Sequence, residues 1–578
     1  LWKPSDNFQS LTKIEIDNQN TDGLPQQENI NTFAPLGPGE PCPANHGTAP
    51  NCTALYFSGY SGYPRVLNYS VPTKYDEAIS MYSEELRYTF SGGTVARLLL
   101  ADTEIGDDTL ASTTNDSINI QTPNPATYPI TQNANTSSLK EHGYNAEIDF
   151  ISPTTGKLSW VAGASWTYTA NQFGSFTPST NPTSGYSPTD LGVTQWVDGE
   201  TIYAKDEGIF GQLTYQVRPT LQFQIGAHVG WDVDTGFGAL ALGLASQPNG
   251  QPIVLPSKTN PNGKNLGPLI LLALGAYNHG QVLAGDNAVL TGKVGFNWQP
   301  VQNQYFYVFW ARGYKPGLGN LGLVPPTTKE EVNDSELGWK GTFAHGHLLT
   351  QLGGYYMNYY NFQESIFNPY NVAGTSDANI AYSGISGLEA SMQAQVAGLG
   401  FDLSASLNRS VLGHTVTGAT YAFPTRATTN QCTATTGPPV NTGTSPLPPG
   451  FGTNCTDYTG VYTGNSFMRT LSGESLPYSP RFQANATIKY AIPLGEMSLQ
   501  PRVTYSFVGV SYASLFQIPY YKLPSHGLVN AYLDWNAGPW TTTLFATNVG
   551  DKLYVTSLGA GEVFGDPRVY GMTVTRTF

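Results

Sequence analysis

The sequence predicts an all-β fold, a transmembrane antiparallel β-barrel of 18 strands. Three observations predict it: apolar and polar residues alternate with period two, short and long connections alternate along the chain, and few residues are charged. Of 578 residues only 12% are Asp, Glu, Lys or Arg, whereas soluble globular proteins have about 25%. Because a strand cannot carry charge on its lipid face at low cost, this composition is typical of a membrane barrel.

The alternation is clearest in residues 219–233. One face of this predicted strand carries Leu221, Phe223, Ile225, Ala227, Val229 and Trp231, and the other carries polar residues and glycine. Soluble strands usually have five or six residues, but strands that cross a bilayer at a tilt need about 9–11. Trp160 and Tyr168 lie eight residues, or about 27 Å, apart, a spacing that fits one aromatic residue at each membrane rim.

The predicted strands and connections follow the same reasoning along the chain. The strands are 8–18, 80–91, 94–104, 142–152, 157–171, 201–216, 219–233, 288–299, 303–313, 331–343, 347–361, 380–396, 399–410, 479–491, 496–510, 526–536, 539–549 and 567–578. Short turns alternate with long loops such as 19–79, 105–141, 234–287 and 411–478. In outer-membrane barrels the short turns face the periplasm and the long loops face outward. We therefore expect one domain over residues 1–578 with both ends on the periplasmic side.

Several classes of protein are excluded. The net charge of −14 and the lack of a basic stripe argue against nucleic-acid binding. The apolar stretch Leu266–Leu274 is far shorter than the roughly 20 residues of a membrane helix. No HExxH, GxSxG or Walker A motif is present, so we predict neither an enzyme nor a cofactor.

The four cysteines lie in two of the long loops. Cys42 and Cys52 form one local pair, and Cys432 and Cys455 form another. We predict a disulfide within each pair, which implies an oxidising compartment. Free thiols are the alternative, and a zinc site has no CxxC motif to support it.

Two short motifs point only weakly to a bound group. Asp232, Asp234 and Gly236 form a DxDxG fragment that offers oxygen ligands to Ca²⁺, but no Glu follows at the twelfth position. Residues 317–322 match GxGxxG, yet two prolines follow where a helix should begin, so this segment is predicted to be an outer loop. No other metal site is predicted.

The 234–287 loop is unusually apolar for an extracellular loop. Residues 239–245 and 266–276 are largely aliphatic or glycine. Large exposed apolar patches mark contacts, so we expect this loop to pack on the protein itself or to meet a partner protein.

The end of the chain carries motifs that can be compared with a known family. Asn548–Tyr554, Gly565–Met572 and a terminal Phe578 resemble the closing strands of TonB-dependent receptors. Segments 309–317, 331–340 and 355–362 resemble the family's middle strands, and Glu85–Arg87 and Leu158–Gly163 agree with it. The resemblance covers most of the chain in family order.

The resemblance implies an architecture and an assembly signal. Tyr570, Met572, Val574 and Phe578 match the alternating signal that the barrel-assembly machinery recognises, although Arg576 is a departure. Family transporters have 22 strands and a plugged lumen, against 18 strands and no plug predicted here. Because an open sheet edge in lipid is costly, we expect a longer polypeptide, a second chain, or a closed 18-strand barrel to complete the wall.

The resemblance also implies a function in the bacterial outer membrane, in contact with its lipid and lipopolysaccharide. It is the import of a scarce bulky ligand, such as a siderophore, cobalamin, haem or an oligosaccharide, driven by the TonB complex if a plug exists upstream. The candidate ligand contacts are Arg312, His228 and Arg502 on the lumen side, with Tyr314 and Lys315 at a loop; for His228 a plain wall role is the alternative. Two other functions stay open: a passive porin-like channel, and a surface barrel that acts with a partner subunit.

Overall fold

The computed structural model describes residues 1–21, 74–112, 134–179, 194–244, 276–319, 326–367, 375–413, 420–422, 468–470, 473–515, 517, 521–558 and 562–577. Within these residues the chain forms 26 β-strands and one 3₁₀ turn, Ala344–Gly346. No helix among them is long and apolar enough to cross a membrane.

The strands are numbered in chain order. They are β1 (Trp2–Ser5), β2 (Phe8–Thr21), β3 (Lys74–Thr89), β4 (Val95–Ser112), β5 (Ala134–Ile151), β6 (Leu158–Ser179), β7 (Thr194–Arg218), β8 (Leu221–Leu244), β9 (Ala276–Val301), β10 (Gln304–Lys315), β11 (Glu330–Phe343), β12 (Leu348–Phe367), β13 (Thr375–Val396), β14 (Leu399–Leu412), β15 (Thr420–Ala422), β16 (Met468–Thr470), β17 (Phe482–Tyr490), β18 (Ile492–Leu494), β19 (Met497–Val508), β20 (Ser511–Tyr512), β21 (Lys522–Leu523), β22 (His526–Ala537), β23 (Trp540–Thr547), β24 (Val555–Leu558), β25 (Glu562–Phe564) and β26 (Val569–Arg576).

Twenty of these strands form one sheet in which sequence neighbours pair antiparallel. β1 pairs only with the foot of β2, and β17 and β18 both pair with β19 as two parts of one strand. Leaving out β1 and counting β17 with β18 as one gives the predicted 18 strands. Within the described residues β26 pairs with β23 alone, so how the wall is completed stays a prediction.

The two faces of the sheet differ as the alternation predicts. Leu337, Leu388 and Leu407 are 65%, 55% and 53% exposed on one face, although apolar side chains of this size are usually buried in soluble proteins. On β8 the apolar series runs from Leu221 to Trp231, about 33 Å along the strand and about 25 Å in height at a tilt near 40°. This height is that of the apolar band of outer-membrane barrels, so this is the lipid face and the polar face lines the lumen.

The sheet is tall on one side and short on the other. Strands β5 to β9 have 18, 22, 25, 24 and 26 residues, whereas β23 and β26 have 8 each. Beyond Trp231, β8 continues for 13 residues to Leu244, which corresponds to about 30 Å of wall above the membrane. The tall wall therefore extends the lumen face into the extracellular space.

This extension corrects the predicted loop boundaries. The ends of the predicted loops 19–79, 105–141 and 234–287 belong to strands, and the loop 411–478 contains β15 and β16. The predictions of strand ends went wrong here because the alternation loses its contrast where both faces of a strand meet water. Residues 245–275, the four cysteines and Phe578 lie outside the described residues, so the partner-loop and disulfide predictions stay untested.

A small core closes the outer end of the short side. Leu412, Leu476, Leu515, Leu523 and Leu558 are each at most 7% exposed. They come from β14, from β21, β24 and from the segments beside them. The described segments around Leu476, Leu515 and Leu558 therefore pack together at this end of the sheet.

Tyrosines on the lumen face lie flat over glycines of the next strand. Tyr307 pairs with Gly338, and a Cβ added to Gly338 would lie 2.4 Å from Tyr307 Cζ. The Tyr307 hydroxyl also donates a hydrogen bond to Glu336. Gly353 lies on the following strand, and its added Cβ would be 3.6 Å from Tyr307 Oη, an ordinary contact.

We expect Gly338→Ala to destabilise the barrel by about 1–3 kcal/mol, because the methyl group displaces the Tyr307 ring from its position beside Glu336. The measurement is equilibrium unfolding in lipid vesicles. Gly353→Ala is the matched control and should change the unfolding free energy far less. Equal losses in the two variants would contradict the packing argument.

Candidate functional site

The lumen face above the membrane on β7, β8 and β9 is called the outer vestibule here. Residues opposite each other in an antiparallel pair share a face, so Asp206 and Asp232 lie side by side in it. His228 lies four residues lower on the same face of β8, opposite Phe210 and Thr291. The vestibule wall therefore presents carboxylates above an imidazole.

Tyr314 joins this group from β10. Its hydroxyl donates a 2.9 Å hydrogen bond to Asp232 Oδ2, although β9 lies between the two strands. The pairing of β9 with β10 ends at Arg312 and Gly292. Tyr314 lies beyond these last paired residues, and its side chain reaches past β9 to β8. A Cβ on Gly230 would be 2.7 Å from Tyr314 Oη, so this contact requires glycine there.

His228 sits beside the same contact. A Cβ added to Gly230 would lie 3.0 Å from its Cε1, and one added to Gly208 would lie 2.3 Å from its Nε2. Its Nδ1 is 3.5 Å from Thr291 Oγ1. The structure thus brings together three of the residues singled out in the sequence, His228, Asp232 and Tyr314.

The vestibule is electrostatically acidic. β8 leaves the apolar band at Trp231, so Asp234 lies above the membrane. Burial, reinforced by the carboxylates of Asp206 and Asp232, raises the pKa of Asp234 to about 6. Such a wall accepts hydrogen bonds from hydroxyl and amide donors and repels anions.

The predicted calcium ligands are Asp232 and Asp234. Among the described residues no group of three or more His, Cys, Asp or Glu side chains is arranged to hold a metal ion. Asp232 already accepts the Tyr314 hydroxyl. The role of Asp232 and Asp234 as calcium ligands remains a prediction.

The pairing register assigns Arg312 to the outward face of β10, and its role as a ligand contact stays a prediction. It continues the series Val308 and Trp310, which are 50% and 43% exposed on the lipid face, and its partner in β11 is Asn333. The alternating pattern of β10 continues from Trp310 to Arg312, and Arg312 lies above the apolar band. A charge on the outward face at that height meets lipid head groups rather than hydrocarbon.

The other two basic candidates are Lys315, which directly follows Tyr314, and Arg502 on β19. Lys315 ends β10 opposite Glu330. Arg502 is on the lumen face near the periplasmic end, with its guanidinium 3.9 Å from the Tyr532 ring centroid and its Nε 3.9 Å from Asp534 Oδ2. Both contacts are with the wall, so Arg502 is held in place there.

A recess in the lumen wall was missed by the sequence reasoning. It has a volume of about 260 Å³, and its lining includes Tyr307, Lys340, Gln351, Glu389, Ser404 and Asn485. Neither Lys340 nor Glu389 forms a salt bridge with a described residue. Strict alternation through Glu336–Lys340 would have placed Lys340 in the lumen.

A second charged cluster lies low on the lumen face of β3, β4 and β5. Arg97 donates from Nε to Asp149 Oδ2 at 2.7 Å and from Nη2 to Glu147 Oε1 at 2.6 Å. Arg87, opposite Arg97, pairs with Glu85. Asp149 is only 2% exposed, so Arg97 is the cation that offsets the cost of burying its carboxylate.

We expect Arg97→Gln to destabilise the protein by about 3 kcal/mol, because it leaves the Asp149 carboxylate buried without a cation. Adding Asp149→Asn should restore much of the loss, since no buried charge then remains. Chemical unfolding of the single and double variants measures both effects. Additive losses would contradict the coupling.

We expect Asp234→Asn to raise the melting temperature at pH 8 and to have little effect at pH 4. The folded-state pKa lies above the ordinary value of about 3.9, so ionisation above pH 6 opposes folding, and this cost disappears below pH 4, where the carboxyl is protonated in both states. Thermal melts in detergent at the two pH values provide the measurement. Glu104→Gln, an exposed carboxyl on β4, is the control, and an equal Asp234→Asn shift at both pH values would contradict the assignment.

Comparisons with known proteins agree with this architecture. The sequence matches the model of the family "TonB dependent receptor-like, beta-barrel" over residues 17–549. No curated protein matches it.

Solved structures show a similar fold at low sequence identity. The siderophore receptor PiuA from Acinetobacter baumannii is 12% identical with a TM-score of 0.64, covering 98% of this chain and 71% of PiuA. The ferric-catecholate import receptor Fiu from Escherichia coli K12 is 14% identical with a TM-score of 0.61, covering 98% and 72%. The ferric yersiniabactin uptake receptor FyuA from Yersinia pestis is 14% identical with a TM-score of 0.57, covering 87% of this chain and 62% of FyuA. The chain thus spans less than two thirds of FyuA, and these likenesses concern the fold.

Proposed function

Because the chain belongs to the family of TonB-dependent receptor-like β-barrels, whose barrels lie in the bacterial outer membrane, we propose that it takes up a scarce bulky ligand with energy supplied through TonB. The observation that carries the proposal is the tall wall of β5 to β9. A receptor needs a binding surface outside the membrane, and this wall provides one that is continuous with the lumen. A passive pore has no such requirement.

The lumen wall supports coupling to a partner inside the barrel. Lys340 and Glu389 face the lumen beside Tyr307 and have no salt bridge with a described residue. Charged side chains in a recess are well placed to meet a complementary surface. In a TonB-coupled importer that surface belongs to a plug, which blocks the lumen until TonB acts.

The charges of the outer vestibule restrict which class of ligand we propose. Siderophores, cobalamin, haem and oligosaccharides are all compatible with the family. The carboxylates of Asp206, Asp232 and Asp234 lie on the same wall and disfavour a polyanion there. We therefore favour a ligand that is neutral or positively charged on the side that meets β7 and β8.

Transport measurements test the proposal against its alternatives. Cells that produce the full-length protein should accumulate ligand only with an intact TonB complex and a proton gradient, and the protein should conduct almost no ions in planar bilayers. A steady open-pore conductance with TonB-independent uptake would establish a porin-like channel instead. If deletion of the gene for this protein removes a bound partner protein from the cell surface but leaves ligand uptake unchanged, the surface-barrel function would be favoured.

We expect Tyr314→Phe to weaken ligand binding about tenfold if the ligand contacts the vestibule, because the variant loses the hydroxyl that orients the Asp232 carboxylate. Equilibrium binding of radiolabelled ligand to whole cells is the measurement. Tyr505→Phe is the matched control, since Tyr505 is 44% exposed on the lipid face. Equal affinity in wild type and Tyr314→Phe would remove the vestibule from the proposed site.

A further inference from the structure

The side chain of Tyr314 does not follow the alternation of its strand. Counted from Phe306, alternate residues of β10 place Tyr314 on the outward face, yet its hydroxyl donates to Asp232 Oδ2 in the outer vestibule. β10 pairs with β9 only as far as Arg312, so among the described strands its last three residues are held by β11 alone. The contacts just beyond the end of β10 therefore determine where Tyr314 points.

Those contacts come from two amide side chains, Gln363 on β12 and Asn379 on β13, called the amide clamp here. The two residues lie opposite each other, and the register places them on the same face as Tyr355, which lines the lumen. Gln363 Nε2 donates to Pro316 O at 2.7 Å and to Thr328 O at 3.0 Å. The clamp thus holds both ends of the connection between β10 and β11 over the lumen face.

Asn379 completes the clamp at Thr328. Its Nδ2 donates to Thr328 O at 2.9 Å, and its Oδ1 accepts from Thr328 N at 2.7 Å and from Thr328 Oγ1 at 3.1 Å. Side chains therefore satisfy the backbone N–H and C=O of Thr328, as a neighbouring strand would do. They do so just beyond Glu331 and Tyr360, where the pairing of β11 with β12 ends.

The segment between Tyr314 and the clamp is short and closed on itself. Pro316 follows two residues after Tyr314, and proline has a fixed φ. Leu318 N donates to Thr327 Oγ1 at 2.7 Å, and Thr327 N donates to Leu318 O at 2.9 Å. A Cβ added to Gly317 would lie 2.4 Å from Thr327 O. A displacement of Pro316 therefore displaces Tyr314 as well.

Gln363 is the more deeply buried half of the clamp. It is 6% exposed, and its backbone N–H donates to Glu330 Oε2 at 2.7 Å. Its Oε1 is buried without a hydrogen-bond partner among the described residues, so burial of this amide costs free energy. An apolar side chain of similar size would avoid that cost. The two hydrogen bonds of Nε2 are what only the amide supplies.

We propose that Gln363 is a positioning residue that places Tyr314 in the outer vestibule. By holding the connection inward, Gln363 turns the end of β10 toward the lumen and brings the Tyr314 hydroxyl to Asp232. Asn379 supports this position from β13. The inference rests on the proposed function, since it assigns Gln363 to the same ligand site. The hydroxyl is in place before a ligand arrives, so binding does not have to order it.

Nitration of Tyr314 by tetranitromethane tests the proposal without a ligand, so its failure is distinguishable from a failure of the uptake function. The full-length protein is nitrated in detergent, and the modified tyrosines are located by mass spectrometry of peptides. Wild-type Tyr314 is half-buried, and its hydroxyl is bonded to Asp232. Gln363→Met keeps the size of the side chain but removes the donor. We expect it to raise the nitration rate of Tyr314 about fivefold, the factor that corresponds to one ordinary hydrogen bond.

Two controls separate the clamp from a general loosening of the barrel. Gln222 faces the lumen near the periplasmic end of β8, and its Oε1 accepts from Asn297 Nδ2 at 3.1 Å. Gln222→Met also loses a glutamine hydrogen bond and should leave the nitration rate of Tyr314 unchanged. Tyr505, 44% exposed on the lipid face, is the reference within each sample and should react at the wild-type rate.

A double variant tests whether Gln363 acts through the contact with Asp232. Asp232→Ala removes the acceptor and should raise the nitration rate of Tyr314 by a similar factor. Gln363→Met/Asp232→Ala should react no faster than either single variant, because both changes break the same contact. Independent effects would multiply to about 25-fold instead.

Asn379→Leu removes the other half of the clamp and decides the question if Gln363→Met does not fold. We expect it to raise the nitration rate of Tyr314 about twofold, since Gln363 still holds the connection. A wild-type rate for Tyr314 in the folded clamp variant, an equal rise in Gln222→Met, an equal rise at Tyr505, or a multiplied rise in the double variant would overturn the proposal.

Discussion

Every backbone N–H and C=O group that enters the hydrocarbon of a bilayer must find its hydrogen-bond partner within the protein, because no water is available there. In the described part of this chain the partner belongs to a neighbouring strand, and the pleat of each strand gives its side chains a period of two. One face then meets lipid and the other meets the lumen. The low content of charged residues is a consequence, since half of each crossing strand is closed to charge.

The same constraint explains which features could be predicted from the sequence. The number of crossing strands and their periplasmic ends follow from alternation and from turns such as Gly92–Gly93 and Gly538–Pro539. The outer ends of β7, β8 and β9 could not be predicted, because strands above the membrane have water on both sides and lose the pattern. Above the membrane these strands are held by backbone pairing, and backbone pairing does not produce a recognisable pattern in a single sequence.

The candidate site shows a similar division. His228 and Asp232 were placed on one face by alternation, and the register agrees. The contact of Tyr314 with Asp232 depends on where β9 parts from β10, which no local pattern records. Alternation from Phe306 onward assigns Arg312 and Tyr314 to the outward face, yet the Tyr314 hydroxyl reaches Asp232 on the lumen side. Alternation therefore stops deciding side-chain direction where β10 parts from its neighbour.

The flat packing of tyrosines on glycines has a consequence for the bore of the barrel. Tyr307 lies over Gly338, and Tyr355 lies over Gly387, where an added Cβ would be 2.3 Å from its hydroxyl oxygen. A ring lying along the wall takes up little more than its own thickness, roughly the 3.5–4.0 Å of a carbon–carbon contact, whereas an upright ring would project across the conduit. Aromatic rings can thus line the lumen without making it narrower. Anything that moves through it slides along ring faces instead of passing between ring edges.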